Sequence, residues 1–255
     1  MFTDIVDLRS FYLSPLGQVT RRLLREKLLQ IWPDLRGQTV LTLGYATPVL
    51  RPYLDQAVPV MAFMPAQQGV TFWPKEGPNR TSLVDPSNLP LPDQSVDRVL
   101  LLHALEGSTD CANVLPEIWR VMKNGGSMLA VVPNRRGVWA MRDITPFGHG
   151  QPFSPSQFKD LLRTHDFLPE RVSRALYLPP WQSSWAHRLS DFAERWGAKL
   201  FPTLGGVLLV EASKQLYAPL RLAPSPMRRP SMPPKIITSV DVPTPTTRII
   251  YGAED

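Results

Sequence analysis

The apolar positions of this chain fall into short unbroken runs separated by helix-like stretches. Val99 to Leu102 is such a run; it follows the turn Leu89-Pro90-Leu91-Pro92-Asp93 and stops at His103. A second run leads into Pro133-Asn134, and between the two lies a helical pattern with Ile118, Val121 and Met122 on its apolar side, stopped by Gly125-Gly126. Strands that are apolar on both faces and joined by a helix belong in the middle of a parallel sheet covered on both sides. In such sheets ligands bind beyond the carboxyl ends of the strands, so the pattern predicts a pocket near His103 with another wall near Asn134.

The same reading assigns strands to Gln38–Leu43, Val58–Met64 and Arg80–Val84, and two closing strands to Val172–Leu178 and Gly206–Ala212. Ser14 and Pro15 are the cap and first residue of a helix whose buried positions are Leu16, Val19, Leu23 and Ile31, and which ends by Gly37. Thr47-Pro48 opens a second helix in the same way. A start near Asn113 puts Pro116 among first-turn residues, whose N–H groups lack partners anyway. Ser154-Pro155 starts a helix running through His165. Trp185, Leu189, Phe192, Trp196 and Leu200 recur at spacings of four, three, four and four, an aromatic-rich stripe that packs on the sheet, roofs an acceptor site or docks a partner protein. From Pro219 onward eight prolines fall in 37 residues; such a tail buries too little to order itself, and either is a solvated linker or binds a partner in extended form. The expected organisation is a helical segment at 1–36, an α/β domain at 37–216 with a helical insertion near 184–200, and a disordered tail at 217–255.

Apolar residues make up 43% and charged residues 20% of the 255 positions, an ordinary soluble composition. The single cysteine, Cys111, excludes an internal disulfide, and no Cys/His spacing offers a metal site. The first residues lack a secretory apolar core, and no stretch approaches the roughly 18 apolar residues of a transmembrane helix, so the expected compartment is the cytoplasm. The net charge of +6 is scattered, with short clusters at Arg21-Arg22-Arg25, Arg135-Arg136 and Arg228-Arg229. Without concentration on one face or alternation with stacking aromatics, it reads as solvated surface and argues against nucleic acid.

Several fragments in fixed order resemble the class I S-adenosylmethionine-dependent methyltransferases, in particular their small-molecule, quinone-biosynthesis-like branch. They are Asp85, then Asn88-Leu89-Pro90-Leu91-Pro92-Asp93, Val96-Asp97, and Glu117-Ile118 with Arg120-Val121-Met122-Lys123 before Gly125-Gly126. The resemblance implies a doubly wound, mostly parallel seven-stranded sheet with helices on both faces (a Rossmann-like fold) and S-adenosyl-L-methionine as cofactor. Leu43, Gly44, Tyr45 and Ala46 match the family's glycine-rich loop, where the backbone runs close to the cofactor. Asp85 matches the residue that accepts from the adenine amino group, although before Pro86 it is equally a turn residue. Leu102 and His103 match the wall of the sulfonium centre. Met64 stands where the family has a carboxylate for the ribose hydroxyls. Two charge-assisted hydrogen bonds of roughly 1.5–3 kcal/mol each are thereby missing unless Gln67 or Gln68 substitutes, and Met64→Asp is expected to restore them.

Methyl transfer asks the protein for in-line positioning and, for some acceptors, a base. His149, between two glycines after the fifth strand, is the candidate base, set against a plain hydrogen-bonded loop histidine. His165 and His187 fall on helices. Phe11 and Tyr12, ahead of the first helix, either close over the cofactor or tether the N-terminus. The expected activity is S-adenosylmethionine-dependent methylation of a small or apolar acceptor; the alternative is an inactive methyltransferase-fold protein acting as a binding or regulatory subunit.

Overall fold

A computed structural model describes residues 4–56, 58–107, 111–142, 144–180 and 186–214, with the side chains of 112 and 186–191 left aside. The proline-rich tail and Trp185 lie outside the described residues.

Seven strands form one sheet in the order β3-β2-β1-β4-β5-β7-β6. They are β1 (Val40–Gly44), β2 (Val60–Pro65), β3 (Thr81–Val84), β4 (Val96–Leu102), β5 (Met122–Pro133), β6 (Phe167–Ala175) and β7 (Val207–Lys214). β1 to β5 pair in parallel and β7 runs antiparallel to both β5 and β6. The expected doubly wound sheet is therefore present. The β6 segment lies earlier than the pattern at Val172–Leu178 suggested, because its half-exposed alternation is weaker than the apolar run that follows it.

The apolar runs are apolar throughout because successive side chains enter two different cores. In β4, Leu100 and Leu102 join the core on one face with Leu16, Leu23 and Leu28, while Val99 and Leu101 join the other with Leu115, Ile118 and Phe158. The first face carries α2 (Pro15–Ile31); the second carries α4 (Cys111–Val121) and α5 (Pro155–Thr164). Ser154 caps α5 in a reciprocal box with Gln157, which holds the helix start where its sequence placed it.

Four local expectations are corrected. Residues Ile5–Leu13 form a helix, α1, so Phe11 and Tyr12 lie within a helix rather than ahead of one. The Thr47-Pro48 start gives only a 3₁₀ turn, Thr47–Val49, and the α-helix begins anew as α3 (Arg51–Asp55). Thr47 makes no cap bond there. α4 starts at Cys111, ahead of the expected Asn113, and holds Pro116 in its interior; full burial of Leu115, Ile118 and Val121 compensates the lost backbone bond. Finally, α6 (Ala186–Leu200) turns Phe192 and Trp196 outward, exposed and ring to ring at 5.8 Å. Its inner side is set instead by Glu194, whose carboxylate accepts from the N–H groups of Leu176 and Tyr177 at 2.7 and 2.8 Å. Burial raises the Glu194 pKa.

No helix among the described residues is long and apolar enough to cross a membrane.

Candidate functional site

The carboxyl ends of β1, β2 and β4 meet where the pattern predicted a pocket, and the geometry there begins with α1. Pro15 disfavours helical backbone at Ser14, which is extended at φ −67° and ψ 161°. Ser14 closes α1 and opens α2 at once: its hydroxyl donates to Phe11 O at 2.7 Å and accepts from Gly17 N at 3.1 Å. A side chain at Gly17 would strike the Phe11 carbonyl, so the two helices fold sharply against each other. The corner sends α1 back over the strand ends. Leu8 and Tyr12, one turn apart, face inward with Ile5 behind them; Val6, Arg9 and Leu13 face out.

Beneath α1, β1 and β4 are pinched together. Gly44 has φ +85°, and any side chain on it would run into the Leu102 and His103 carbonyls. His103, the first residue past β4, is itself left-handed at φ +56°, an arrangement a non-glycine residue adopts only when its surroundings hold it. Its surroundings are well supplied. Nε2 lies 2.9 Å from the Tyr12 hydroxyl and Nδ1 lies 3.1 Å from Glu106 Oε1. The Gln68 side-chain amide donates to His103 O at 2.9 Å, and Gln68 O accepts from Ile5 N at 2.8 Å. Burial, together with the nearby Tyr45 and Glu106, pushes the Tyr12 phenol well above its ordinary pKa. A neutral phenol donating to Nε2 leaves the imidazole proton on Nδ1, where it donates to Glu106. The result is a buried Tyr12–His103–Glu106 chain, in which Glu106 Oε2 and, on the Gln68 that holds the His103 carbonyl, Oε1 are buried without hydrogen-bond partners.

Leu8, Tyr12, Tyr45 and Met64 form one apolar cluster over this chain. Of the residues predicted to line a cofactor, the structure thus gathers Gly44, Tyr45, Met64 and His103 under α1. Leu43, Ala46 and Leu102 are in the two cores just behind. Asp85 is elsewhere: it is exposed, and its carboxylate accepts from Ser87 N at 2.9 Å and Ser87 Oγ at 2.6 Å, which lowers its pKa. His149 is exposed as well. Asn134 is buried, and its side-chain amide is spent on clamping the loop before β7 by donating to Thr203 O and Gly205 O. Gln67 is exposed, while Gln68 is spent on the His103 carbonyl.

The comparisons with known proteins agree with this scaffold. Residues 43–130 match the family model described as a methyltransferase domain. A probable S-adenosylmethionine-dependent methyltransferase of Mycolicibacterium smegmatis is 36% identical over 86 residues, 33% of either chain. The chain thus spans about a third of the length of that curated relative. Among solved structures, an S-adenosylmethionine-dependent methyltransferase from Archaeoglobus fulgidus superposes with a TM-score of 0.54 at 18% identity, covering 76% of this chain and 94% of that one. The [4+2]-cyclase SpnF superposes at 0.51 and 18% identity, covering 79% and 83%. At such identities the likeness establishes the fold, and a cyclase among the neighbours shows that a fold alone does not name a reaction.

The cofactor named by the family's relatives is S-adenosylmethionine. The residues present do not fit it in this arrangement. Leu8 and Tyr12 fill the space over the strand ends, the end of β2 offers the fully buried thioether of Met64 in place of a carboxylate, and the Asp85 carboxylate is satisfied by its own turn. An aspartate at position 64 would be buried under α1 instead of facing an open cleft, contrary to the simple restoration expected from the sequence. Sequence reasoning missed Glu106 and the helical nature of α1. Signals for both exist: Ile5, Leu8 and Tyr12 have helical spacing after Asp4, whose carboxylate caps α1 by accepting from Val6 N, and Glu106 follows His103 by three residues.

Proposed function

We propose that this chain is a methyltransferase-fold protein whose cofactor cleft is held shut by its own N-terminal helix, and that it acts as a binding or regulatory protein. The observation that supports this reading is the Tyr12 hydroxyl seated on His103 with Leu8 and Met64 packed around it. Opening the cleft exposes Leu8 and Tyr12, at roughly 1.5–3 kcal/mol each, and breaks a buried hydrogen bond of about 0.5–1.5 kcal/mol. A cost on the order of 4 kcal/mol lowers the apparent affinity for a cleft ligand about a thousandfold. The absent ribose carboxylate weakens it further.

A second reading, methylation of a small acceptor after α1 withdraws, is favoured by one observation. The His103–Glu106 pair is the arrangement of an oriented general base: with Tyr12 gone, His103 Nε2 would take the proton of an acceptor hydroxyl while Glu106 fixes the ring.

Thermal denaturation of the full chain with millimolar S-adenosylmethionine or its demethylated product separates the two. The closed reading expects no saturable stabilisation by either. A working cleft gives one, since ligand at 100 times its dissociation constant adds about 2.7 kcal/mol, and that result would overturn the closed reading in favour of the enzyme.

A further inference from the structure

Beside α1 lies a cavity of about 610 Å³ walled by α1, α2, the turn after β1, α3 and the loop 71–76, with Tyr12 and Tyr45 dividing it from the closed cleft. That loop occupies the connection between parallel strands β2 and β3, where no helix forms. The charged lining is unbalanced: Arg9, Arg21, Arg25, Arg51 and Lys75 face a single carboxylate, Glu76. None of these five cations takes part in the ion pairs found among the described residues. Arg25 is the most constrained. Its Nη2 donates to Pro48 O at 3.2 Å, whereas its Nε is buried with no acceptor. Burial and the neighbouring Arg21 and Arg51 depress its pKa, with Asp55 in partial opposition. Arg21 and Arg25 are also one turn apart on α2, a like-charge spacing that works against the helix.

Crowding like charges around a hollow is unfavourable unless something of opposite sign is meant to occupy it. Arginine suits phosphate because its planar fork donates two parallel hydrogen bonds. The remaining walls are flat and apolar: Tyr45, Trp73 and Phe72, the last 59% exposed. The volume is that of a small-molecule site. S-Adenosylmethionine, with two positive groups and one negative, is the wrong sign for it.

We propose that this cavity binds a small phosphorylated ligand, with two or more phosphate groups on the arginines and a planar body against Tyr45, Phe72 and Trp73. Because Arg9, Tyr12 and Leu13 come from α1, the ligand bridges α1 to α2 and α3 and reinforces the closed cleft. The proposal thus rests on the α1 placement that the functional reading also uses, but asks for a different ligand in an adjoining cavity that shares only Tyr12 and Tyr45 with the closed cleft.

The test is calorimetric titration of the full chain with inorganic pyrophosphate, ATP and adenosine at constant ionic strength, repeated on Arg21→Gln/Arg51→Gln. Saturable binding of pyrophosphate and ATP is expected, with ATP tighter, adenosine at least tenfold weaker than ATP, and affinity for both anions falling at least tenfold in the double variant. The double variant should melt no lower than wild type without ligand, since it relieves repulsion, so loss of binding is not loss of fold; a lower melting point means the arginines are structural and overturns the proposal. So does absence of saturable binding, or equal binding by the double variant. Binding of single-stranded oligonucleotides that tightens with length beyond ATP overturns the small-ligand version. Failure here with no binding of S-adenosylmethionine leaves the closed-cleft reading standing; success here with saturable S-adenosylmethionine binding sinks that reading and leaves the cavity assigned.

Discussion

Tyr12 is the residue on which the candidate site turns, because its hydroxyl occupies the one imidazole nitrogen that Glu106 leaves available. Tyr12→Phe keeps the ring packing against Tyr45 and Met64 but leaves His103 Nε2 buried with no donor. The expected loss is about 1–3 kcal/mol, the desolvation cost of an unpaired buried polar atom, read as a lower urea midpoint at unchanged slope. An unchanged midpoint would mean that α1 is not seated on His103 in solution. At this scale the sequence was only partly legible. His103 and Gly44 were visible because strand ends in such sheets are where side chains face ligand space. Asp85 was ambiguous for a local reason: an Asp before Pro and Ser is as good a turn former as a ligand, and its carboxylate took the Ser87 donors nearest in sequence.

Among the elements, α4 shows how a family-like fragment serves the fold rather than the chemistry. Glu117 accepts from Arg120 Nε and Nη2 at 2.8 Å and from Leu89 N at 2.8 Å, while Arg120 also reaches Asp93 and the carbonyls of Leu89 and Leu91. The fragments around Asp93 and Arg120 that carry the resemblance thus clamp the turn before β4 onto α4. The Arg120 hydrogen bonds hold the Glu117 pKa below its ordinary value. A carboxyl whose folded pKa is depressed stabilises the fold above the unfolded pKa and loses that contribution as pH falls through the folded one. Glu117→Gln should therefore cost on the order of 1 kcal/mol at neutral pH, with the two proteins converging as the pH falls below the ordinary carboxylate range. Urea melts across that range are the check; a difference independent of pH would assign the effect to packing. Helix starts at Ser14 and Ser154 were readable because caps act within three residues. The starts at Thr47 and Asn113 were not, because close prolines and deep burial overrode the local preference.

For the whole molecule, the sheet with its two cores is one cooperative body, whereas α1 adheres through the small cluster of Leu8, Tyr12, Tyr45 and Met64. A segment held by few buried contacts opens below the global unfolding free energy. Native-state hydrogen exchange should show the amides of α1 exchanging through a sub-global opening, well before those of β1, β4 and β5, and slower with pyrophosphate if the cavity is filled. Exchange of α1 only with global unfolding would make the closure a permanent part of the fold.

The unbroken apolar runs, read with the caps and glycines between them, were enough to determine most strands, most helices and a parallel sheet covered on both faces, because each of those signals acts over a few residues; the doubly wound seven-stranded order came from the family resemblance. What only the tertiary structure decided was where surfaces with no fixed partner come to rest. Tyr12 and His103 are 91 residues apart; the Ser14–Gly17 corner turns α1 back, but nothing local at either position dictates that Tyr12 comes to rest on His103. In the same way Arg21, Arg51 and Lys75 read as ordinary solvated charges until three separate segments placed them around one cavity. Periodicity records which side of an element is buried; only the packed chain determines against what.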